Sequence, residues 1–174
     1  MFTLRGQPTK RFFMHKKYIM IIAAVVGLWG CSSTVNQSVA FRAEDFRRYD
    51  SPGRSTIHGH AFVHTRDGLK HNAGGLKVYL VPLTAYTDER AKISLRGGEP
   101  APADPGLEKY LRTEVADISG LYEFSGLSAG DYLVYCRVAW DHFKRQSSGD
   151  YFIVARTAVK EGEKKRVVVT NDVE

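Results

Sequence analysis

Seven apolar segments separated by turn residues constrain the fold of this chain more than any other feature of its sequence. In the first segment, the alternating residues Ile57, Gly59, Ala61 and Val63 share one face, which is typical of a strand with one buried side. The segments read STIHGHAFVHT, LKVYLVPL, KYLRTEVADI, LYEFSGL, DYLVYCRVAW, DYFIVARTAV and KKRVVVT. Together they predict an all-β fold, a seven-stranded antiparallel β-sandwich, over residues 55–174.

Two of these segments are apolar on both faces. The runs YLVYC (132–136) and FIVA (152–155) lack the polar alternation of a strand that has one side in solvent. We therefore expect both faces of their sheet to be covered. Pro82, near the end of LKVYLVPL, indicates an edge strand or the end of a strand, because proline cannot donate to a sheet ladder.

One connection, residues 84–107, is too long for a minimal sandwich. It is polar and rich in glycine and proline, and a connection of this length usually has a function or some structure of its own. Thr87 is the predicted N-cap of a short helix that runs through Ser94. Two interpretations stay open for the connection: a recognition surface and a tolerated surface insertion.

A short apolar run near the N-terminus is typical of a secretory signal. Residues 19–29 are apolar apart from Gly27, and a helix of that length is about 16 Å long, roughly half of a hydrocarbon core. The preceding residues are basic, and no acidic residue occurs among the first thirty. This pattern favours a signal peptide over a buried core helix, which would carry polar residues on one face. Translation from Met1 and translation from Met14 both stay open.

The end of the run resembles the lipobox of bacterial lipoproteins. Leu28, Trp29, Gly30 and Cys31 occupy the four positions of that motif. The resemblance implies a signal peptide over residues 1–30, cleavage after Gly30 and lipidation of Cys31, whose several acyl chains would hold the chain on a membrane. Ser32 after the cysteine implies sorting to the outer membrane, facing the periplasm. Residues 31–54 are then expected to form a lipid-anchored tether followed by a short helical segment.

Charge argues against a nucleic-acid partner. The formal net charge of the whole chain is +6, but five basic residues and no acidic residue precede Cys31. The 144 residues from Cys31 onwards carry 20 basic and 19 acidic side chains. A folded domain so nearly neutral lacks the basic footprint that nucleic-acid binding needs.

Two sequence blocks resemble the carboxypeptidase regulatory-like domain, a transthyretin-like sandwich. They are IHGHAFVHTRDGLKHNAGGLKVYLVP and TEVADISGLYEFSGLSAGDYLVYCRV. The second block carries the more specific positions of the family, namely Asp117, Gly120, Tyr122, Phe124, Gly126, Leu127, Ala129, Gly130, Tyr132 and Val134. The resemblance implies that these residues build the fold and are not catalytic.

Neither cysteine nor serine chemistry predicts an enzyme. Cys136 lies in an apolar strand and reads as a small buried hydrophobe. Ser128 satisfies the pattern Gly-x-Ser-x-Gly, but a nucleophile elbow needs a helix after the serine, and here a strand follows. We therefore expect a non-catalytic protein that requires no cofactor.

Histidines on the first predicted strand are weak candidates for metal ligands. His58 and His60 point to the same side, and a His-x-His pair on a strand can place two imidazoles on one ion. His64 is about 13 Å farther along from His60 and cannot join them. The alternative is a polar, solvent-facing side of the strand.

Aromatic residues supply the candidate binding surface. Tyr135, Trp140, Phe143 and Tyr151 cluster in sequence near one hairpin, and we predict a surface formed by Trp140, Tyr151 and Tyr86 of the long connection. The chain is therefore predicted to be a binding or scaffolding module for an envelope protein. The alternative is carbohydrate or metal binding through this aromatic end or through the strand that carries His58 and His60.

Overall fold

The predicted strands form the two facing sheets of a β-sandwich. The computed structural model describes residues 34–142 and 147–171. The strands in this part of the chain are β1 (Thr34–Val35), β2 (Ser55–His64), β3 (Lys70–Asn72), β4 (Lys77–Pro82), β5 (Glu99–Pro100), β6 (Arg112–Val115), β7 (Leu121–Leu127), β8 (Gly130–His142), β9 (Ser147–Val159) and β10 (Lys164–Val169). The predicted signal peptide, Gly30, Cys31 and Phe143 lie outside the described residues.

All seven predicted strands are present, as β2, β4, β6, β7, β8, β9 and β10. In the first sheet, β2 pairs with β10, β7 and β3, and the second sheet has the order β6-β4-β8-β9. The antiparallel prediction needs one correction within the sandwich, because β10 runs parallel to β2, with Lys164 opposite Thr56 and Val169 opposite Ala61. A turn closed by the hydrogen bond from Glu163 N to Lys160 O carries the chain from one sheet to the other. The strands β1, β3 and β5 were not predicted, since two or three residues give no measurable alternation.

The main core lies between the sheets. Every second residue of β2 is buried, as the alternation of Ile57, Gly59, Ala61 and Val63 predicted. These side chains meet those of the second sheet, where Val134 and Cys136 are fully buried. Pro82 is the last residue of β4, a central strand, so the prediction of a strand end is confirmed.

A second core covers the outer face of the second sheet, as the two-sided apolar strands predicted. Leu133 of β8 packs there against α1 (Ala85–Leu95) and against two 3₁₀ helices, Ala43–Tyr49 and Pro105–Tyr110. Phe46 is fully buried in this cluster. The long connection therefore contains a helix, as predicted, and it builds a core layer as well as a surface.

Two local predictions are wrong. The N-cap of α1 is Thr84, whose hydroxyl accepts from the backbone N–H of Thr87, while Thr87 closes the capping box from its third position. Residues 34–40 are not an unstructured tether, because β1 pairs with β5 and the carboxylate of Glu89 accepts from the backbone N–H groups of Ser38 and Val39. The short helical segment expected after the tether is present as the 3₁₀ helix Ala43–Tyr49. Between residues 34 and 171, no described helix has both the length and the apolar character needed to span a membrane.

Candidate binding site

Three aromatic rings with nearly parallel planes mark one end of the sandwich. Trp140 of β8 and Tyr151 of β9 have ring centroids 5.5 Å apart and an interplanar angle of 5°. His71 of β3 stacks on Trp140 at 4.5 Å and 12°. We call these three residues the aromatic stack. It forms because Trp140 and Tyr151 continue the core-facing side of the second sheet, while β3 reaches them from the first sheet.

A glycine makes room for the indole. Gly149 is the cross-strand partner of Trp140 in the β8–β9 ladder. A Cβ atom at position 149 would lie 2.2 Å from Cζ2 of Trp140, which is far inside van der Waals contact. The indole therefore packs against the backbone of Gly149, and it can take this position only because residue 149 has no side chain.

The stack forms one wall of an open groove of about 450 Å³. The turn between β2 and β3 also lines the groove, through Thr65, Arg66 and Asp67. The Thr65 hydroxyl donates a hydrogen bond to Asp67, and this bond holds the pKa of the Asp67 carboxyl below its usual value. The groove therefore combines flat apolar surface with an ionised acceptor at neutral pH.

Asp150 is also a lining residue of the groove, but its side chain lies with Arg137 on the face of the β8–β9 ladder opposite to Trp140 and Tyr151. One of its oxygens lies 3.3 Å from Nε of Arg137, and both side chains are more than half exposed. A groove with flat rings and the Asp67 carboxylate can pack against an apolar ligand face and accept hydrogen bonds from hydroxyl groups.

The structure brings together two of the three residues that were predicted to form an aromatic surface. These two are Trp140 and Tyr151. Tyr86 is 4% exposed and packs in the second core, where its hydroxyl accepts from the backbone N–H of Asp104, so its assignment to the binding surface is corrected. Tyr135 points to the opposite side of its sheet from Trp140, because the two residues are an odd number of positions apart on β8.

Strand β2, which carries His58 and His60, forms no metal site with the other described residues. His58 and His60 lie on the outer face of the first sheet, and Nε2 of His60 is 3.1 Å from Oδ1 of Asn72. Across residues 34–142 and 147–171, no group of three or more His, Cys, Asp or Glu side chains is placed to hold an ion. These two residues therefore remain weak candidates only.

The candidate nucleophiles occupy structural positions. The Ser128 hydroxyl donates to the backbone oxygen of Ser51, at a turn that leads into β8. Cys136 is fully buried, and burial raises the pKa of its thiol to about 11. Both side chains thus support packing and turn geometry.

Sequence reasoning missed the groove wall formed by Asp67 and the part that His71 plays in the stack. The signal for both was the turn sequence RDG between two strand-like stretches, which predicts a hairpin that brings His71 back beside Val63. The hairpin was not predicted because β3 has only three residues and shows no clear alternation.

Comparison with known proteins supports the fold. No protein-family model and no curated protein matches the sequence. Among solved structures, a candidate carbohydrate-binding protein from Pseudomonas aeruginosa is 18% identical with a TM-score of 0.66, and the match covers 76% of this chain and 99% of that chain. The major pilin subunit of Bacillus cereus is 14% identical with a TM-score of 0.39, over 70% of this chain and 31% of the pilin. The likeness to the Pseudomonas protein shows that the two chains share a β-sandwich fold.

Proposed function

We propose that this chain is a non-catalytic binding module of the cell envelope and that the groove beside the aromatic stack binds carbohydrate. The observation that carries the proposal is the set of three near-parallel rings, His71, Trp140 and Tyr151, along one wall of an open groove. A pyranose ring has an apolar C–H face that packs on flat aromatic surface, and its hydroxyl groups donate to a carboxylate such as that of Asp67. The fold shared with a candidate carbohydrate-binding protein supports this choice.

The proposed location follows from the N-terminal motif. Cleavage after Gly30 and acylation of Cys31 would leave three residue steps between the lipidated cysteine and Thr34, the first residue of β1. Three steps of extended chain span about 10 Å. The domain would therefore sit close to its membrane, with the outer membrane as the proposed site. Incorporation of labelled palmitate into the wild-type chain, and its loss in Cys31→Ser, tests this part independently of glycan binding.

The glycan proposal is tested by calorimetry of the full-length protein in detergent with neutral oligomers of glucose, N-acetylglucosamine and xylose. Trp140→Ala is expected to weaken binding at least about tenfold, because it removes the central ring of the stack. Tyr79→Ala is the matched control, since Tyr79 is a half-buried aromatic residue of the same sheet that stacks on Tyr135. If no oligomer binds the wild type, or if both variants lose affinity equally, the groove is not a glycan site.

A scaffolding role for an envelope protein is the second candidate. It is favoured by the outer face of the first sheet, where Leu121 and Val168 are 49% and 43% exposed and both neighbour His60 in the ladder. A photo-crosslinking residue at position 168 should give one discrete adduct in cells, while the same residue at position 47, in the 3₁₀ helix Ala43–Tyr49, should give none. Equal labelling at both positions would argue against a specific partner on this face.

A further inference from the structure

A second cavity, separate from the carbohydrate groove, lies beneath α1 on the outer face of the second sheet. Its volume is about 170 Å³. The buried side chains of Val81, Ala91, Leu107 and Leu133 form an apolar floor. The half-buried residues Arg90, Ser94, Tyr135 and Phe152 contribute to its lining. The cavity is therefore apolar inside and polar on one side.

The size of the cavity limits its ligand to one ring. An engineered apolar cavity of about 150 Å³ in another protein binds a single benzene molecule. The cavity beneath α1 is slightly larger, and Phe152 and Tyr135 of its wall lie with ring centroids 5.5 Å apart. A six-membered ring with one small substituent fits this space, whereas a disaccharide does not.

Arg90 supplies a positioned charge beside the cavity. Its Nη1 donates to the side-chain oxygen of Gln37 at 2.6 Å and to the backbone oxygen of Ala101 at 2.7 Å. Both acceptors are neutral, and none of the ion pairs among the described residues includes Arg90. A guanidinium group carries five N–H donors in a fork that matches a carboxylate. The charge of Arg90 is thus held in place without a carboxylate partner in the described chain.

Tyr135 contributes a hydroxyl donor to the same cavity. Burial raises the pKa of Tyr135 to about 12, so its hydroxyl stays protonated at neutral pH and can donate to an anion. Arg90 and Tyr135 both line this cavity.

We propose that the cavity beneath α1 binds a small monocyclic carboxylate, with its ring against Leu133 and Phe152 and its carboxylate on the guanidinium of Arg90. This site is independent of the carbohydrate groove and of the proposed membrane anchor. Benzoate is the probe for it, and benzyl alcohol is the neutral analogue of similar size.

The test is calorimetric or NMR titration of the full-length protein in detergent with both probes. Benzoate is expected to bind the wild type at least about tenfold more tightly than benzyl alcohol, because a charge-assisted hydrogen bond is worth about one such factor or more. Arg90→Gln should remove this preference. Arg96→Gln is the matched control, because Arg96 ends the same helix and does not line the cavity, and it should leave the preference intact.

Three results would overturn the proposal: no benzoate binding by the wild type, equal affinity for the two probes, or an equal loss in Arg90→Gln and Arg96→Gln. If Arg90→Gln does not fold, as judged by thermal unfolding, the wild type still decides the matter. Benzoate must then perturb the backbone resonances of Leu133 and Phe152 and leave those of Trp140 and Tyr151 unchanged. Perturbation at Trp140 in place of Leu133 would place the ligand in the other groove and refute the site.

Discussion

Gly149 lies directly across the β8–β9 hairpin from Trp140, and the closest approach of a Cβ atom at this glycine to the indole would be 2.2 Å. No side chain can occupy that space while the indole keeps its position. The parallel stack of Trp140 with His71 and Tyr151 therefore depends on a residue that contributes no side-chain contact.

Gly149→Ala is expected to displace the Trp140 ring and open the stack. We expect glycan affinity to fall at least about tenfold, with a loss of about 1 kcal/mol in the free energy of unfolding from overpacking. Calorimetry with the best oligomer and urea unfolding measure the two effects. Ala139→Ser, an exposed change on the neighbouring strand, is the control and should alter neither quantity. An unchanged affinity in Gly149→Ala would show that the stack does not form the glycan surface.

The aromatic end illustrates what the sequence could and could not predict about the site. Trp140 and Tyr151 were predictable because they lie close together in sequence, on the two strands of one hairpin. Tyr86 was misassigned because the second core that buries it joins segments far apart in the chain. Local sequence patterns show which residues share one face of a strand. Which helices or loops pack on that face depends on contacts between distant parts of the chain.

Phe46→Ala tests whether the segment before β2 belongs to the domain. Phe46 is fully buried, and its ring lies 4.8 Å from that of Tyr110 and 4.9 Å from that of Phe41. Truncation of a buried phenylalanine lowers the free energy of unfolding by about 3 to 5 kcal/mol. Arg47→Ala, an exposed change in the same 3₁₀ helix, should cost less than about 0.5 kcal/mol. Equal, small losses in urea unfolding would instead show that this helical segment does not pack stably on the domain.

The residues before this helix explain why the tether prediction failed. The polar run at residues 34–40 carries few apolar side chains and gives no strand or helix signal. Its order comes from groups that become neighbours only after folding, such as the Glu89 carboxylate, which accepts from Ser38 and Val39, and the Gln37 side chain, which donates to the Tyr86 carbonyl.

Cys136 should resist alkylation in the native protein. It is fully buried, and burial raises the pKa of its thiol to about 11, so the thiolate that reacts is scarce at about pH 8. Iodoacetamide should modify it only after denaturation, as measured by intact mass in the Cys31→Ser background. Rapid native labelling at about pH 8 would mean that the core around β8 opens readily.

Asp88, in the first turn of α1, should make stability depend on acid pH. Burial alone would raise the pKa of its carboxyl, but hydrogen bonds from Lys92 and Arg156 outweigh burial and hold the pKa below the ordinary value of 3.8. A depressed native pKa means that the ionised form stabilises the fold fully above about pH 4 and that this contribution is lost as pH falls through the native pKa. Asp88→Asn should therefore lower the free energy of unfolding by about 1 kcal/mol at about pH 7, and the difference from wild type should shrink as the pH falls through the native pKa of Asp88. Urea unfolding at several pH values measures this, with the exposed change Glu114→Gln as the control. A difference that stays constant or grows in acid would show that Asp88 acts through packing and not through its charge.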